Sequence, residues 1–360
     1  MTAFVETLQR TVRGPAAAVA RRARGRPKVR RLLRLLADKR RILVTTHQHP
    51  DPDAIASSLA LCRLLSIKLP GAKVTLSVKG QLWGGVNDAF FKASNLSLAA
   101  WSDARLRHTD AVVLLDVQPA FASSPLPPGV TPVAVIDHHR ARTVRCPFCD
   151  VRTDVGASTS IVFSYYVELN EPIPPDLAAV MLYAIESDLA GAAGTPGELD
   201  NLALSSLTLV ADTRKLYQMR YVDLPQGYFR AYAAGLNGAM VYDNAILAHI
   251  GASDSPEKPA VIADFLLRYD QVQWALVTGV FEGKLVASIR TSDPKLSAAE
   301  MARRLFKGVG EGGGHRTKAG GFVRLTTDTD GEVDRHRATL RRRYLRALHV
   351  KVSRGQRLVP

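Results

Sequence analysis

From Val29 onward, short apolar runs alternate with longer amphipathic segments. Val29, Leu32, Leu33, Leu35 and Leu36 recur at helical spacing, and Ile42-Leu43-Val44, followed by Thr45-Thr46, predicts a buried strand. A helix is predicted from about Asp53 to Leu69, rich in Ala and Leu and stopped by Pro70-Gly71. Val74–Val78, Ala111–Leu115 and Val133–Ile136 read as further short strands, separated by enough chain for crossover helices. That alternation predicts a parallel α/β sheet. Helical patterns follow over 158–169 and 176–187, and Leu216–Gly227, with its Pro225-Gln226-Gly227, reads as a linker.

Beyond the linker the period changes. Pro256–Tyr269 suits a helix, and Trp274–Phe281 and Lys284–Ser292 alternate with period two around Glu282-Gly283, which predicts a hairpin. A helix over 297–307, a glycine cluster over 308–321, a strand near 321–326 and a basic final helix from about Val333 complete the chain. The expected division is a loosely ordered basic lead-in at 1–27, a parallel-sheet α/β domain at 28–215, a linker at 216–227, a smaller mixed α/β domain at 228–350 and a tail at 351–360.

Composition narrows the class. A hydrophobic fraction of 46% over 360 residues suits globular domains and excludes a disordered or collagenous chain. No apolar run approaches the length of a membrane span, and no early apolar run precedes a cleavage-like site, so a soluble, cytoplasmic protein is expected. Cys62, Cys146 and Cys149 are too few for a disulfide framework, and Cys146 and Cys149 read as loop thiols. The net charge of +15 sits at the ends: residues 1–41 carry +11 and residues 335–360 carry +9, which leaves −5 between them. A mildly acidic body with basic ends differs from a basic nucleic-acid groove, because the ends can attract an anionic partner, nucleic acid or membrane surface, without forming the site of chemistry.

The candidate chemistry lies where strands end. His47-Gln48-His49-Pro50-Asp51-Pro52-Asp53 joins a strand to a helix, Ala111–Leu115 runs into Asp116, and Val133–Ile136 runs into Asp137-His138-His139. Ligands of open α/β sheets bind outside the carboxyl ends of the strands. Carboxylates gathered there repel one another unless cations lie between them, and oxygen and imidazole donors without thiolate suit Mn²⁺, Mg²⁺, Co²⁺ or Fe²⁺. Singly, Asp51 and Asp53 also suit helix capping and Asp116 a loop turn, so the conjunction of three strand tips carries the metal reading.

These segments resemble the DHH phosphoesterase superfamily, which includes RecJ-type exonucleases, family II inorganic pyrophosphatases and nanoRNase/3′-phosphoadenosine-5′-phosphate phosphatases. His47-x-x-x-Asp51-x-Asp53 is similar to its first motif, Asp116 to its second, Asp137-His138-His139 to its third and Glu186-Ser187-Asp188 to its fourth. Gly312-Gly313-Gly314-His315, followed by Ala319-Gly320, resembles the signature of the DHH-associated C-terminal domain. The resemblance implies two divalent metal ions, manganese foremost: one held by His47, Asp51 and Asp116, the other by Asp53, Asp116, His138 and Asp188. It further implies Asp137 as an orienting residue, His139 facing the phosphate, and Arg290, Ser292, Gly312, Gly313, Gly314 and His315 as substrate contacts. The chain departs from the family pattern at Pro52, where glycine is usual, and at Leu189-Ala190, where Thr-Gly usually follows the aspartate. Arg316-Thr317-Lys318 adds positive charge after the glycines.

The implied activity is metal-dependent hydrolysis of short oligoribonucleotides or linear dinucleotides to 5′ mononucleotides, with a 3′-phosphoadenosine-5′-phosphate phosphatase activity beside it. The alternatives are a pyrophosphatase or exopolyphosphatase-type hydrolase and a non-catalytic nucleic-acid-binding protein. The expected partners are a short RNA or nucleotide substrate, an anionic partner for the basic ends and a second copy in a homodimer.

Overall fold

Aliphatic runs covered on both faces form the first sheet. In a computed structural model, which describes residues 28–80, 82, 87–121, 123–140, 145–190, 196–314, 316–327, 329–352 and 354–360, the first described element is helix α1 (Val29–Leu36), whose Val29, Leu32 and Leu36 are fully buried. The lead-in 1–27 lies outside the described residues. Strand β1 (Arg41–Thr45), helix α2 (Pro52–Lys68), β2 (Lys73–Leu76), the short helices α3 (Asp88–Ala93) and α4 (Asp103–Arg107), β3 (Ala111–Leu115), β4 (Ala134–Asp137) and β5 (Phe148–Val151) come next. All five strands pair in parallel in the order β2-β1-β3-β4-β5. The chain leaves β1 toward β2 and returns on its other side as β3, so a topological switch point lies between β1 and β3, where such sheets place ligands.

Helix α2 is buried on nearly every side by small residues, among them Ala54, Ala56, Ser57, Ser58 and Ala60, which let neighbouring helices approach closely. Pro52 occupies its first turn, where fixed φ and a missing N–H cost nothing, and Asp51 caps it by accepting from Ala54 N at 3.0 Å. The departure from glycine at Pro52 is therefore compatible with the helix start. Helices α5 (Ser158–Leu169), α6 (Pro175–Leu189), α7 (Glu198–Thr208) and α8 (Thr213–Arg220) complete this first compact unit, which ends at Val222.

The second unit starts at Asp223 and contains α9 (Gln226–Asn237), β6 (Met240–Tyr242), β7 (Ala245–Ala252), α10 (Lys258–Leu266), β8 (Trp274–Phe281), β9 (Lys284–Thr291), α11 (Ala298–Phe306), β10 (Glu311–Gly314), β11 (Lys318–Arg324), α12 (Asp330–Ala347) and β12 (Gln356–Arg357). Its strands form one mixed sheet in the order β10-β11-β9-β8-β7-β6-β12, antiparallel except between β7 and β8. Ile246, Ile250 and Val277 pack with Ile262 on one face, and Trp274 and Ile289 pack with Leu305 and Tyr344 on the other. The stretch 216–227 holds the end of α8 and the start of α9, and within 351–360 the strand β12 pairs with β6. Among the described residues no helix is long and apolar enough to cross a membrane.

Part of the basic C-terminal helix is structural. Arg343 donates to the carbonyls of Leu305 and Lys307 at the end of α11, where acceptors lack helical partners. At the other end of α12, the Glu332 carboxylate accepts from the backbone N–H groups of Thr326 and Thr327 and from the Thr327 hydroxyl, which holds its pKa down to about 2. A carboxyl depressed in the folded state stabilises the fold fully above its unfolded value, 4.5, and loses that contribution as pH falls toward 2. Glu332→Gln is expected to be less stable than the parent at pH 7, with the gap closing between pH 4.5 and 2 in urea titrations. A gap independent of pH would contradict this.

Candidate metal centre

Three strand ends and one helix end converge at the switch point of the first sheet. His47 follows β1, Asp116 follows β3, Asp137 is the last residue of β4 with His138 and His139 after it, and Asp188 lies in the last turn of α6. His47 Nε2 stands 3.5 Å from Asp116 Oδ2, His138 Nε2 lies 3.3 Å from Asp116 Oδ1 and 3.4 Å from Asp188 Oδ2, and His139 Nδ1 lies 3.7 Å from Asp116 Oδ1. Donor atoms gather in three overlapping sets, His47–Asp51–Asp116, Asp53–His138–Asp188 and Asp116–His138–His139, each within 4.8 Å. Asp116 belongs to two of these sets, as a bridging ligand would.

Backbone conformation aims Asp116 at the cluster. Its φ of +57° lies in the left-handed region, which aspartate tolerates better than most side chains, and its N–H donates to Ile136 O at 2.9 Å. Two neighbours that sequence reasoning did not single out hold the carboxylates in place. Ser158 N and Thr159 N, at the start of α5, donate to Asp53 Oδ2 and Oδ1 at 2.7 and 2.9 Å, and Ser158 Oγ donates to Asp116 Oδ1 at 2.9 Å. The helix N-terminus thereby directs its N–H groups at a buried carboxylate. The signal was Ser158-Thr159 opening a predicted helix, which reads equally as an ordinary helix start.

Electrostatics show what the cluster lacks. Burial, reinforced by the negative charges of Asp116 and Asp188, raises the Asp53 carboxyl well above its ordinary range despite two N–H donors. Asp116 is driven the other way: burial alone would raise its pKa, but the His138 and His47 imidazoles outweigh burial and hold it well below the usual value. Burial opposes protonation of His47, yet Asp116 and Asp51 overcome it and raise its pKa to about 9. His138 is raised well above 6.5 by Asp116 and Asp188 against the same opposing burial. Four carboxylates drawing protons onto adjacent imidazoles form a site that is short of positive charge. Carboxylate oxygens and imidazole nitrogens within 4.8 Å are the donor set of hard or borderline divalent ions, so the residues fit the expected metals.

Asp137 organises the outer layer. It is wholly buried; its Oδ1 accepts from His138 N at 2.8 Å and His139 N at 3.2 Å and bonds His139 Nδ1 at 2.7 Å. Gln118, another residue sequence reasoning missed, donates to Asp137 Oδ2 at 2.7 Å. The ring that Asp137 orients is therefore His139.

The remaining candidates belong to the second unit. Arg290 pairs with Asp264 Oδ1 at 2.6 Å and donates to Ser288 Oγ at 2.8 Å, while half-buried Ser292 donates its N–H to Gln273 O at 3.0 Å. Gly312, Gly313 and Gly314 form β10, an edge strand paired with β11. A Cβ at Gly312 would stand 2.4 Å from the Phe306 ring, and Gly314 has φ of +145°, so two of these positions require glycine for packing and conformation. His315 lies outside the described residues.

A parallel α/β domain with a carboxylate–imidazole cluster at its switch point is the class that fold and site define. Residues 41–185, within the first unit, match the model of the DHH family, N-terminal domain. The chain is 28% identical over 286 residues to an uncharacterized protein of Methanocaldococcus jannaschii, which covers 79% of this chain and 58% of that protein. It is 29% identical over 290 residues to a probable manganese-dependent inorganic pyrophosphatase of Lactobacillus gasseri, covering 72% of this chain and 88% of that one. An exopolyphosphatase-related protein from Bacteroides fragilis shares the fold with a TM-score of 0.70 at 17% identity, over 88% of this chain and 96% of that structure.

Proposed function

We propose that the chain is a metal-dependent phosphodiesterase that hydrolyses short oligoribonucleotides or linear dinucleotides to 5′ mononucleotides. The observation that carries this reading is the convergence of His47, Asp51, Asp53, Asp116, His138 and Asp188 at the switch point. His47, Asp51 and Asp116 would hold one divalent ion, and Asp53, Asp116, His138 and Asp188 the other. Manganese is favoured by the oxygen-and-imidazole donor set and by the manganese dependence named for the Lactobacillus relative. When bound, such a pair activates water near neutral pH and offsets charge on the phosphoryl oxygens.

The protein's own groups do the rest. The N-terminus of α5 fixes Asp53, and Ser158 Oγ fixes Asp116, so neither carboxylate has to reorganise when substrate arrives. Asp137 holds the His139 ring through Nδ1, the orientation in which a histidine serves a phosphoryl or leaving oxygen. Arg290, Ser292, Gly312, Gly313, Gly314 and His315 are the residues proposed to bind substrate, Arg290 exchanging Asp264 for phosphate.

Four carboxylates balance two divalent ions, which leaves a near-neutral centre able to accept an anionic phosphate. Hydrolysis of pyrophosphate is the second reading, because the Lactobacillus relative with that name matches over 88% of its length. Turnover of pGpG, pApA, 3′-phosphoadenosine-5′-phosphate and pyrophosphate with Mn²⁺ separates them. Mononucleotide release from the dinucleotides is expected, whereas phosphate release from pyrophosphate alone would overturn the first reading for the second. Saturating Mn²⁺ is also expected to raise the melting temperature over chelator-treated protein, since about 2.7 kcal/mol accrues at a hundred times the dissociation constant. Identical melting in manganese and chelator would contradict a metal-filled centre.

A further inference from the structure

In the first unit, the outer face of α8 carries an aromatic and basic stripe. Arg214, Tyr217 and Tyr221 follow at i, i+3 and i+7, so they share one face of the helix and its C-cap, while Leu216 and Met219 are buried on the opposite side. Tyr217 and Tyr221 are 63% and 66% exposed, among the most exposed large apolar side chains described, and their rings lie 4.6 Å apart at 33°. Arg220 anchors this helix by a two-pronged ion pair with Glu186, its Nε lying 3.0 Å from Oε2. Glu186 is two residues before Asp188 on α6, about 3 Å along the helix axis. The stripe is thus tethered to the element that bears a proposed metal ligand.

From this juxtaposition we infer that Tyr217 and Tyr221 are a nucleobase-stacking platform, with Arg214 beside them for the phosphate backbone of a bound oligonucleotide strand. The inference rests on the phosphodiesterase reading and extends it to how the strand is held. Two broad, rigid rings offer faces on which any base can stack, and the Arg214 guanidinium complements phosphate, the combination that single-strand binders use. The exposed positions of the helix, Thr213, Arg214, Tyr217, Gln218 and Arg220, include no aliphatic and no acidic residue, which suits a polyanionic strand with unpaired bases. Stacking on tyrosine is tolerant of sequence, so base identity should matter little there.

The test compares the parent with Tyr217→Ala/Tyr221→Ala and Tyr217→Phe/Tyr221→Phe. The probes are a labelled pentaribonucleotide and the same strand made abasic away from the scissile linkage. Dissociation constants are read by fluorescence anisotropy in chelator, and KM and kcat with Mn²⁺. The alanine pair is expected to weaken binding and raise KM for the intact strand roughly tenfold or more, with kcat unchanged. The phenylalanine pair should match the parent, and the abasic strand should bind weakly to all three proteins. Equal affinity of parent and alanine pair for the intact strand overturns the platform, as does an equal loss for intact and abasic strands. A change in sedimentation without a change in affinity also overturns it, in favour of a protein contact. Tyrosine-dependent binding without hydrolysis would uphold the platform and reject the phosphodiesterase reading; hydrolysis indifferent to the tyrosines would do the reverse.

Discussion

Asp116→Asn is expected to lower manganese-dependent hydrolysis of a linear dinucleotide by on the order of 10³-fold or more, and to reduce the manganese bound per chain. Asp116 contacts His47, His138, His139 and Ser158, and its oxygens belong to two donor sets. Asparagine keeps the shape, and like aspartate it tolerates the left-handed conformation found at φ of +57°, so the strand end should persist. What it removes is one negative charge and one oxygen of the proposed metal-ligand set. Circular dichroism unchanged beside a collapsed kcat is the expected pair of results. A variant retaining a tenth or more of the parent rate would show that chemistry does not pass through this carboxylate.

The second large effect is on stability. Asp150 on β5 is 1% exposed and receives two parallel hydrogen bonds from Arg152, Nε to Oδ1 at 2.9 Å and Nη2 to Oδ2 at 2.8 Å, and a third from Tyr165 OH at 2.6 Å. Arg152 also donates to Ser164 Oγ at 3.2 Å, so this network pins α5, the helix whose first turn holds Asp53, to the edge of the sheet. Asp150→Ala leaves a buried guanidinium without its partner and is expected to cost about 3–5 kcal/mol in chemical denaturation. Adding Arg152→Met to that variant should recover much of the loss, because it removes the stranded charge. If the double variant were less stable than Asp150→Ala, the stranded charge would not be the cause.

These two sites differ in how visible they are in the sequence. The strands Ala111–Leu115 and Trp274–Phe281, the hairpin at Glu282-Gly283 and the helices over 158–169 and 176–187 follow from their apolar runs, because each is buried over most of its length. Phe148–Val151 was missed, since its Asp150 belongs in a strand only through a pairing with Arg152 that no local pattern reveals. Helix α7 and strands β6 and β7 also escaped, the first because half its positions are polar or exposed, β6 because only three residues define it, and β7 because His249 and Gly251 interrupt its apolar run. The glycine cluster over 308–321 is largely strand: a Cβ at Gly312 or Gly321 would stand 2.4 or 2.5 Å from the Phe306 ring, so the glycines make room for it.

His47, Asp51, Asp53, Asp116 and His138 were legible because acids and imidazoles stood after apolar runs, and parallel strands bring such positions to one edge, whereas Asp188, at a helix end, was marked only by the resemblance to a family motif. The supporting layer was not legible. Ser158, Thr159 and Gln118 act through backbone N–H groups or an amide reaching across the sheet, and nothing in their spacing to Asp53 or Asp137 marks the contact. Tyr217 and Tyr221 were equally silent, because helical spacing of two tyrosines more often signals a buried stripe than an exposed one.

The proposal that this cluster holds two divalent ions is tested by counting the ions. Protein stripped with chelator, reloaded with Mn²⁺ and freed of excess metal would be analysed by elemental mass spectrometry, with Asp116→Asn alongside. Two manganese ions per parent chain and fewer than two in the variant are the expected result. A parent chain that retains none, or a variant that retains as many as the parent, would contradict the account.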